Sequence, residues 1–253
     1  MPVPNDWTLE GKVALITSDT RGWARVLASA LAEAGADVAV AGNSAEYVES
    51  AAAAVTAQGR RSTTIIGEFS GYAETDAAVD KTVSELGRID ILVNASLTEF
   101  GKPTLDTTEF EWSTVMDANA GAAFRWARSA GRKMTQQGSG HIVNIISEMA
   151  ERGLTNHAAF SASQAAIQQM TRSLSLEWGT SGVRINCIAT GWIELDPPSL
   201  EEQQKELLVR YLPLRRKGTP AEIATLMIYL SGDFSDFTTG QTIFVDGGAM
   251  AHA

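Results

Sequence analysis

"ALITSDTRGWARVLASALAEAGADVAV", residues Ala14 to Val40, decides the fold. It opens on a short apolar run and passes through a polar turn that carries Gly22. Beyond the turn the period becomes helical: Trp23, Val26, Leu27, Ala30, Leu31 and Ala34 recur at i, i+3, i+4, i+7, i+8 and i+11, which gives a helix one apolar face. Gly35 follows at the position after the helix end, where the backbone commonly turns left-handed. A second apolar run then begins at Asp37. Strand, turn, helix and strand in this order form the crossover that joins two parallel strands.

The same alternation continues along the chain. Short runs rich in branched side chains, "KVALIT", "DVAVA", "RSTTIIG", "IDILVNA", "GHIVNIIS", "VRINCIA" and "QTIFVDG", are separated by longer segments of helical period. Nearly continuous apolar strands between amphipathic helices predict an α/β fold, a doubly wound parallel sheet of about seven strands with helices on both faces. No fixed-period repeat, low-complexity tract or linker interrupts the 253 residues, so one domain over 1–253 is expected. The longest irregular region, 191–218, follows the sixth strand. In a doubly wound sheet it lies over the carboxyl ends of the strands, as a lid or substrate loop, with "EEQQKELL" as its helix.

Composition narrows the function classes. With 20 Lys and Arg against 30 Asp and Glu, the net charge of −10 opposes a nucleic-acid partner, because such binding draws on clustered cations. No window approaches a membrane span and no leader pattern is present, so a cytoplasmic protein is expected. The single cysteine, Cys187 in "RINCIA", excludes an internal disulfide and reads as a small buried strand residue. His141, His157 and His252 lie far apart in sequence, and no metal site is expected.

Six spaced blocks carry a family resemblance. Besides the opening stretch they are "GRIDILVNAS", "WSTVMDANAGAAF", "GHIVNIISEMAERG", "FSASQAAIQQMTRSLSLEWGTSGVRINCIATGWI" and "TTGQTIFVDGG". Together they resemble a short-chain dehydrogenase/reductase (SDR) over essentially the whole chain, which implies a Rossmann-like domain. The family's chemistry uses Asn, Ser, Tyr and Lys. The resemblance places Asn119 at the asparagine that holds a relay water and Ser147 at the serine that orients the substrate oxygen. It also puts Phe160 at the tyrosine and Gln164 at the lysine. A phenol whose pKa is lowered by a neighbouring ammonium is the family's proton donor, and neither Phe160 nor Gln164 exchanges a proton near neutrality.

The resemblance also implies the nucleotide site. In the glycine-rich turn Ser18 replaces the first glycine, Arg21 and Gly22 follow, Trp23 stands beside the pyrophosphate path and Ala24 replaces the last glycine. A Cβ at Ser18 is expected to strain the turn if the position needs a left-handed φ. Asn94 is kept after the fourth strand, Leu97 stands where a glycine admits the adenosine ribose, and Thr190 replaces a proline near the nicotinamide amide. The turn after the second strand, with Asn43 where an arginine often falls, supplies no ribose selector, so NAD and NADP are not distinguished, and Glu68 replaces the aspartate that commonly faces the adenine.

Departures concentrated at the reaction centre, with intact assembly segments, lead to the expectation of a pseudoenzyme: a non-catalytic subunit of an oligomeric hydroxyacyl or alcohol dehydrogenase. It would bind no cofactor unless the groove stays open, when NAD(P) is expected. The expected partner is a homologous SDR subunit in a dimer or tetramer, docked through helices at about 108–137 and 158–178 and the C-terminal strand. Two alternatives remain open. One is an SDR-derived enzyme of non-redox chemistry, its acid or base drawn from Glu148, Glu151, His157, Glu194 or Asp196. The other is an atypical NAD(P)-dependent oxidoreductase in which water or a loop residue supplies the proton.

Overall fold

A computed structural model describes residues 7–19 and 21–251; His252 lies outside the described residues. The first crossover is as its sequence requires. Strand β1 (Val13–Ser18) leads through Gly22 into helix α1 (Trp23–Glu33), and β2 (Asp37–Gly42) returns parallel to β1, with Val13 opposite Asp37. Gly22 has φ +74° and Gly35 φ +109°. Gly35 N–H donates to Ala32 and Ala36 N–H to Leu31, the paired bonds of a Schellman stop. The face of α1 turned to the sheet is Trp23, Ala24, Leu27, Ala28, Leu31 and Ala32. Its alanines let the helix approach closely, so Val26, Ala30 and Ala34 fall to the margin of the stripe.

The chain continues through α2 (Ala45–Ala57), β3 (Ser62–Ile66), α3 (Tyr72–Leu86) and β4 (Ile91–Asn94). Next come α4 (Glu109–Met116), α5 (Ala122–Gln137), β5 (Gly140–Ser147), α6 (Ala158–Trp178) and β6 (Val183–Thr190). Short helices α7 (Leu200–Gln203) and α8 (Leu207–Tyr211), then α9 (Pro220–Ser231) and β7 (Thr242–Val245), complete it. The seven strands are all parallel in the order β3-β2-β1-β4-β5-β6-β7. The reversal between β1 and β4 opens the crevice in which such sheets bind ligands.

Each strand feeds two cores. In β1, Ala14 and Ile16 pack with α1, α2 and α9 on one face, while Val13 and Leu15 pack with α3, α5 and α6 on the other. Burial on both faces is why the strands read as continuous apolar runs. Cys187 is fully buried in β6, and burial pushes its thiol up to about 12, so it is not a nucleophile. Among the described residues, no helix is long and apolar enough to cross a membrane.

Two elements differ from expectation. The α4–α5 segment is broken by a π-helical turn at Asp117–Gly121 that carries Asn119; such bulges often mark functional positions. The expected "EEQQKELL" helix is two short ones, because Lys217 draws the turn between them inward: its Nζ donates to Glu206 at 2.8 Å and to Glu194 at 2.6 Å. The backbone N–H of Lys217 also donates to Gln203 Oε1 at 2.7 Å.

Candidate active site

The residues at the tetrad positions form one buried hydrogen-bond chain. Asn119 Oδ1 accepts from Thr98 N–H at 2.8 Å, and its Nδ2 donates to the Thr98 carbonyl at 2.9 Å and to Ser163 Oγ at 3.0 Å. Ser163 in turn accepts from Gln164 Nε2 and donates to the Phe160 carbonyl. Gln164 Oε1 accepts the backbone N–H of Ser147 at 3.0 Å. Gln164 is therefore a fully buried tie between α6 and β5. Ser147 Oγ accepts from Met149 N–H at 3.2 Å and caps the 3-10 turn Glu148–Ala150.

Ser147 and Phe160 line a cavity of about 410 Å³ at the strand ends, with Leu97, Glu148, His157, Thr190, Gly191 and Trp192 among its walls. Glu148 is its distinctive group. The residue is only 3% exposed, Arg152 donates to its Oε1 at 3.1 Å, and its Oε2 has no partner. Burial pushes its carboxyl up to about 7, Arg152 opposing and Asp246 adding to the rise; a carboxyl of this kind exchanges protons at neutral pH. Room for it comes from Gly191, where a Cβ would lie 2.9 Å from Glu148 Oε2 and 2.9 Å from Asp246 Cα.

Residues 17–250 match the family described as enoyl-(acyl carrier protein) reductase. The chain is 34% identical to the 2-dehydro-3-deoxy-D-gluconate 5-dehydrogenase of Dickeya dadantii over 252 residues, 98% of each chain. This chain belongs to the short-chain dehydrogenase/reductase family. Its SDR relatives include the 3-oxoacyl-[acyl-carrier-protein] reductase of Chlamydia muridarum, 34% identical over 242 residues, 95% of this chain and 98% of the other. The structure of a gluconate 5-dehydrogenase from Burkholderia cenocepacia in complex with NADP and tartrate superposes with a TM-score of 0.89 at 29% identity, covering 98% of both chains.

These SDR relatives overturn the expectation of a pseudoenzyme subunit. Chains similar over nearly their full length are named as dehydrogenases and reductases, and they point to an ordinary SDR oxidoreductase. The expectation of lost chemistry rests on side chains lacking an ionisable atom at 160 and 164. The fold nevertheless retains a formed cavity with the buried Glu148 in its wall.

The groove where the resemblance implies a nucleotide is open. A cavity of about 680 Å³ runs along the ends of β1 to β4, lined by Ser18, Arg21, Asn43, Glu68 and Leu97 among others, and shares Arg21 and Leu97 with the Ser147 cavity. Leu97 is a wall of the groove and does not fill it. The expected strain at Ser18 does not arise: it ends β1 as extended chain, and among the described residues of this turn only Gly22 has a positive φ. The N–H groups that open α1 have no side-chain cap, and no acidic residue stands in its first turn. Arg21 spans the groove, donating to Asp19 at 2.6 Å and to the Ala95 carbonyl at 2.8 Å, with its guanidinium 3.9 Å from the Trp23 ring centroid. Trp23 is both a core residue and part of the cavity wall. Asn94 does not line the groove; it points across the sheet, donating to Asn144 Oδ1 at 2.7 Å.

Of the replacement acids and bases, Glu148, His157 and Glu194 line the Ser147 cavity, whereas Glu151 and Asp196 do not. His157 Nδ1 is engaged by the Thr155 carbonyl, and Glu194 by Lys217. Trp192 joins this cavity to a neighbour of about 820 Å³ bearing Arg152, Arg210 and Arg215, a cluster the sequence reading missed. Tertiary contact also gathers His141, Asp233 and Asp236, ligand atoms within 4.8 Å of one another. Their carboxylates are already paired with Lys12 and Arg184.

Proposed function

We propose that this chain is an NAD(P)-dependent oxidoreductase that interconverts a hydroxyl and a carbonyl group on a small anionic substrate, without an acid–base role for residues 160 and 164. The observation that carries the reading is the open groove leading past Arg21 and Leu97 into a cavity that holds Ser147 and a buried carboxyl group. The residues fit a dinucleotide: an uncapped helix start at Gly22 and Trp23 is an anion site for a pyrophosphate, Asn43 and Glu68 stand at the far end, and Thr190 at the near end. When bound, the dinucleotide supplies or accepts the hydride.

In this reading Ser147 orients the substrate oxygen. Asn119 and Gln164 act through it, holding the end of β5 and the start of α6 in register. Phe160 is an apolar wall that keeps water from the cavity. Arg210 and Arg215, neither in an ion pair among the described residues, face a cavity with apolar walls. They fit a substrate carboxylate or phosphate. Phe110 and Trp112 on α4, Phe124 on α5 and Leu176 on α6 are exposed, and these faces suit docking of a second chain of the same fold.

The test is a calorimetric titration with NAD⁺, NADH, NADP⁺ and NADPH, followed by assay of a panel of keto acids and hydroxy acids. Binding of one cofactor and its turnover with a member of the panel is the expected result. Failure of all four dinucleotides to bind overturns the reading.

A further inference from the structure

We propose that Glu148 is the acid–base residue of this site, giving its proton to the substrate oxygen on reduction and taking it back on oxidation. The proposal rests on the oxidoreductase reading above and assigns the proton that reading leaves without a carrier. For carbonyl reduction the carboxyl O–H bond breaks and the product's O–H bond forms. The hydride to carbon comes from the reduced nicotinamide, and the resulting carboxylate recovers a proton from water.

Five observations converge. Ser147 ends β5 and Glu148 opens the turn after it, and both line the same cavity. Its Oε2 is buried without a hydrogen-bond partner, and an unpaired oxygen of a buried carboxylate is costly unless it carries a proton or meets a ligand. The charged groups that face it come from two elements: Arg152, four residues on, and Asp246 after β7. Burial is the largest influence on the group; Arg152 opposes it, Asp246 adds to it, and the apolar walls Phe160 and Trp192 maintain it. The space it occupies depends on the missing side chain of Gly191. Of the other acids and bases that line the cavity, Glu194 is paired with Lys217, His157 is held at Nδ1 by a backbone carbonyl, and Glu99 is exposed; none is desolvated as Glu148 is.

The proton can be observed without turnover. Infrared difference spectra of the cofactor-free protein between about pH 5 and pH 9 are expected to show a buried carboxylic acid band that titrates near neutrality and is absent from Glu148→Gln. The same variant is expected to lose about 10²–10⁴-fold in kcat, to bind reduced dinucleotide as the wild type does, and to keep its circular dichroism spectrum. Glu148→Asp, which keeps the carboxyl group, restores part of the rate. A titrating band that survives in Glu148→Gln, or wild-type kcat in that variant, overturns the assignment and leaves the oxidoreductase reading standing. Failure of the wild type to bind any dinucleotide overturns that reading itself, and calorimetry registers this before any variant is made.

Discussion

Gln164 Oε1 accepts the backbone N–H of Ser147 at 3.0 Å, joining the first turns of α6 to the last residue of β5. A residue that looks in sequence like a lost lysine is thus a structural brace. Gln164→Met keeps the length and removes the acceptor, leaving a buried N–H unsatisfied at a cost of about 1–3 kcal/mol. We expect the thermal midpoint to fall by about 2–4 °C for each kcal/mol, with kcat reduced as Ser147 shifts. An unchanged midpoint by differential scanning calorimetry contradicts the brace.

Arg152 favours the ionised form of Glu148, so Arg152→Gln raises the carboxyl group's affinity for its proton. Carbonyl reduction needs the protonated acid, and its rate falls as pH rises through the Glu148 value of about 7. In Arg152→Gln that fall is expected at higher pH, by up to about one unit, or about 1.4 kcal/mol. A pH–rate profile that moves down or stays fixed refutes the coupling.

Burial, and then Arg184, push His141 down from 6.5 to about 4. A lowered folded-state value means that its contribution to stability is present above about pH 6.5 and lost as pH falls toward 4, up to about 3 kcal/mol. Glu148 runs the other way. Raised from 4.5 to about 7, its contribution is present below pH 4.5 and gone above 7. His141→Gln is therefore expected to flatten the acid side of the stability curve, and Glu148→Gln to raise the alkaline side, both read from urea midpoints across pH.

Arg210 and Arg215 bound the larger cavity, and Arg215 holds a left-handed φ of +56° there, a costly conformation for a residue other than glycine. The double variant Arg210→Ala/Arg215→Ala is expected to raise KM for an acidic substrate about tenfold with kcat nearly unchanged, the signature of lost ground-state binding. Salt should produce a similar rise in the wild type. A fall in kcat at constant KM would place these arginines elsewhere in the reaction.

Much of the fold was legible because its signals are local. The strands, helix α1 and the Gly35 turn follow from periodicities and φ preferences that a few adjacent residues express, and the 158–178 helix from the family resemblance. The irregular 191–218 segment was recognised too, but its single expected helix was not formed, since Lys217 lies well beyond the window in which a helix is read. Asn94 was assigned to the groove from its place after a strand, while its amide found Asn144 on the neighbouring strand.

The sequence by itself determined the doubly wound parallel sheet, the crevice at the reversal of strand order, and which side chains stand at positions 119, 147, 160 and 164. Only the tertiary structure decided which of five acidic or basic candidates has a desolvated, half-satisfied carboxyl group inside the cavity. Proton affinity depends on everything within a few ångströms of the group. Around Glu148 that surrounding comes from Gly191 after β6 and Asp246 after β7, residues that no local pattern in the sequence brings together.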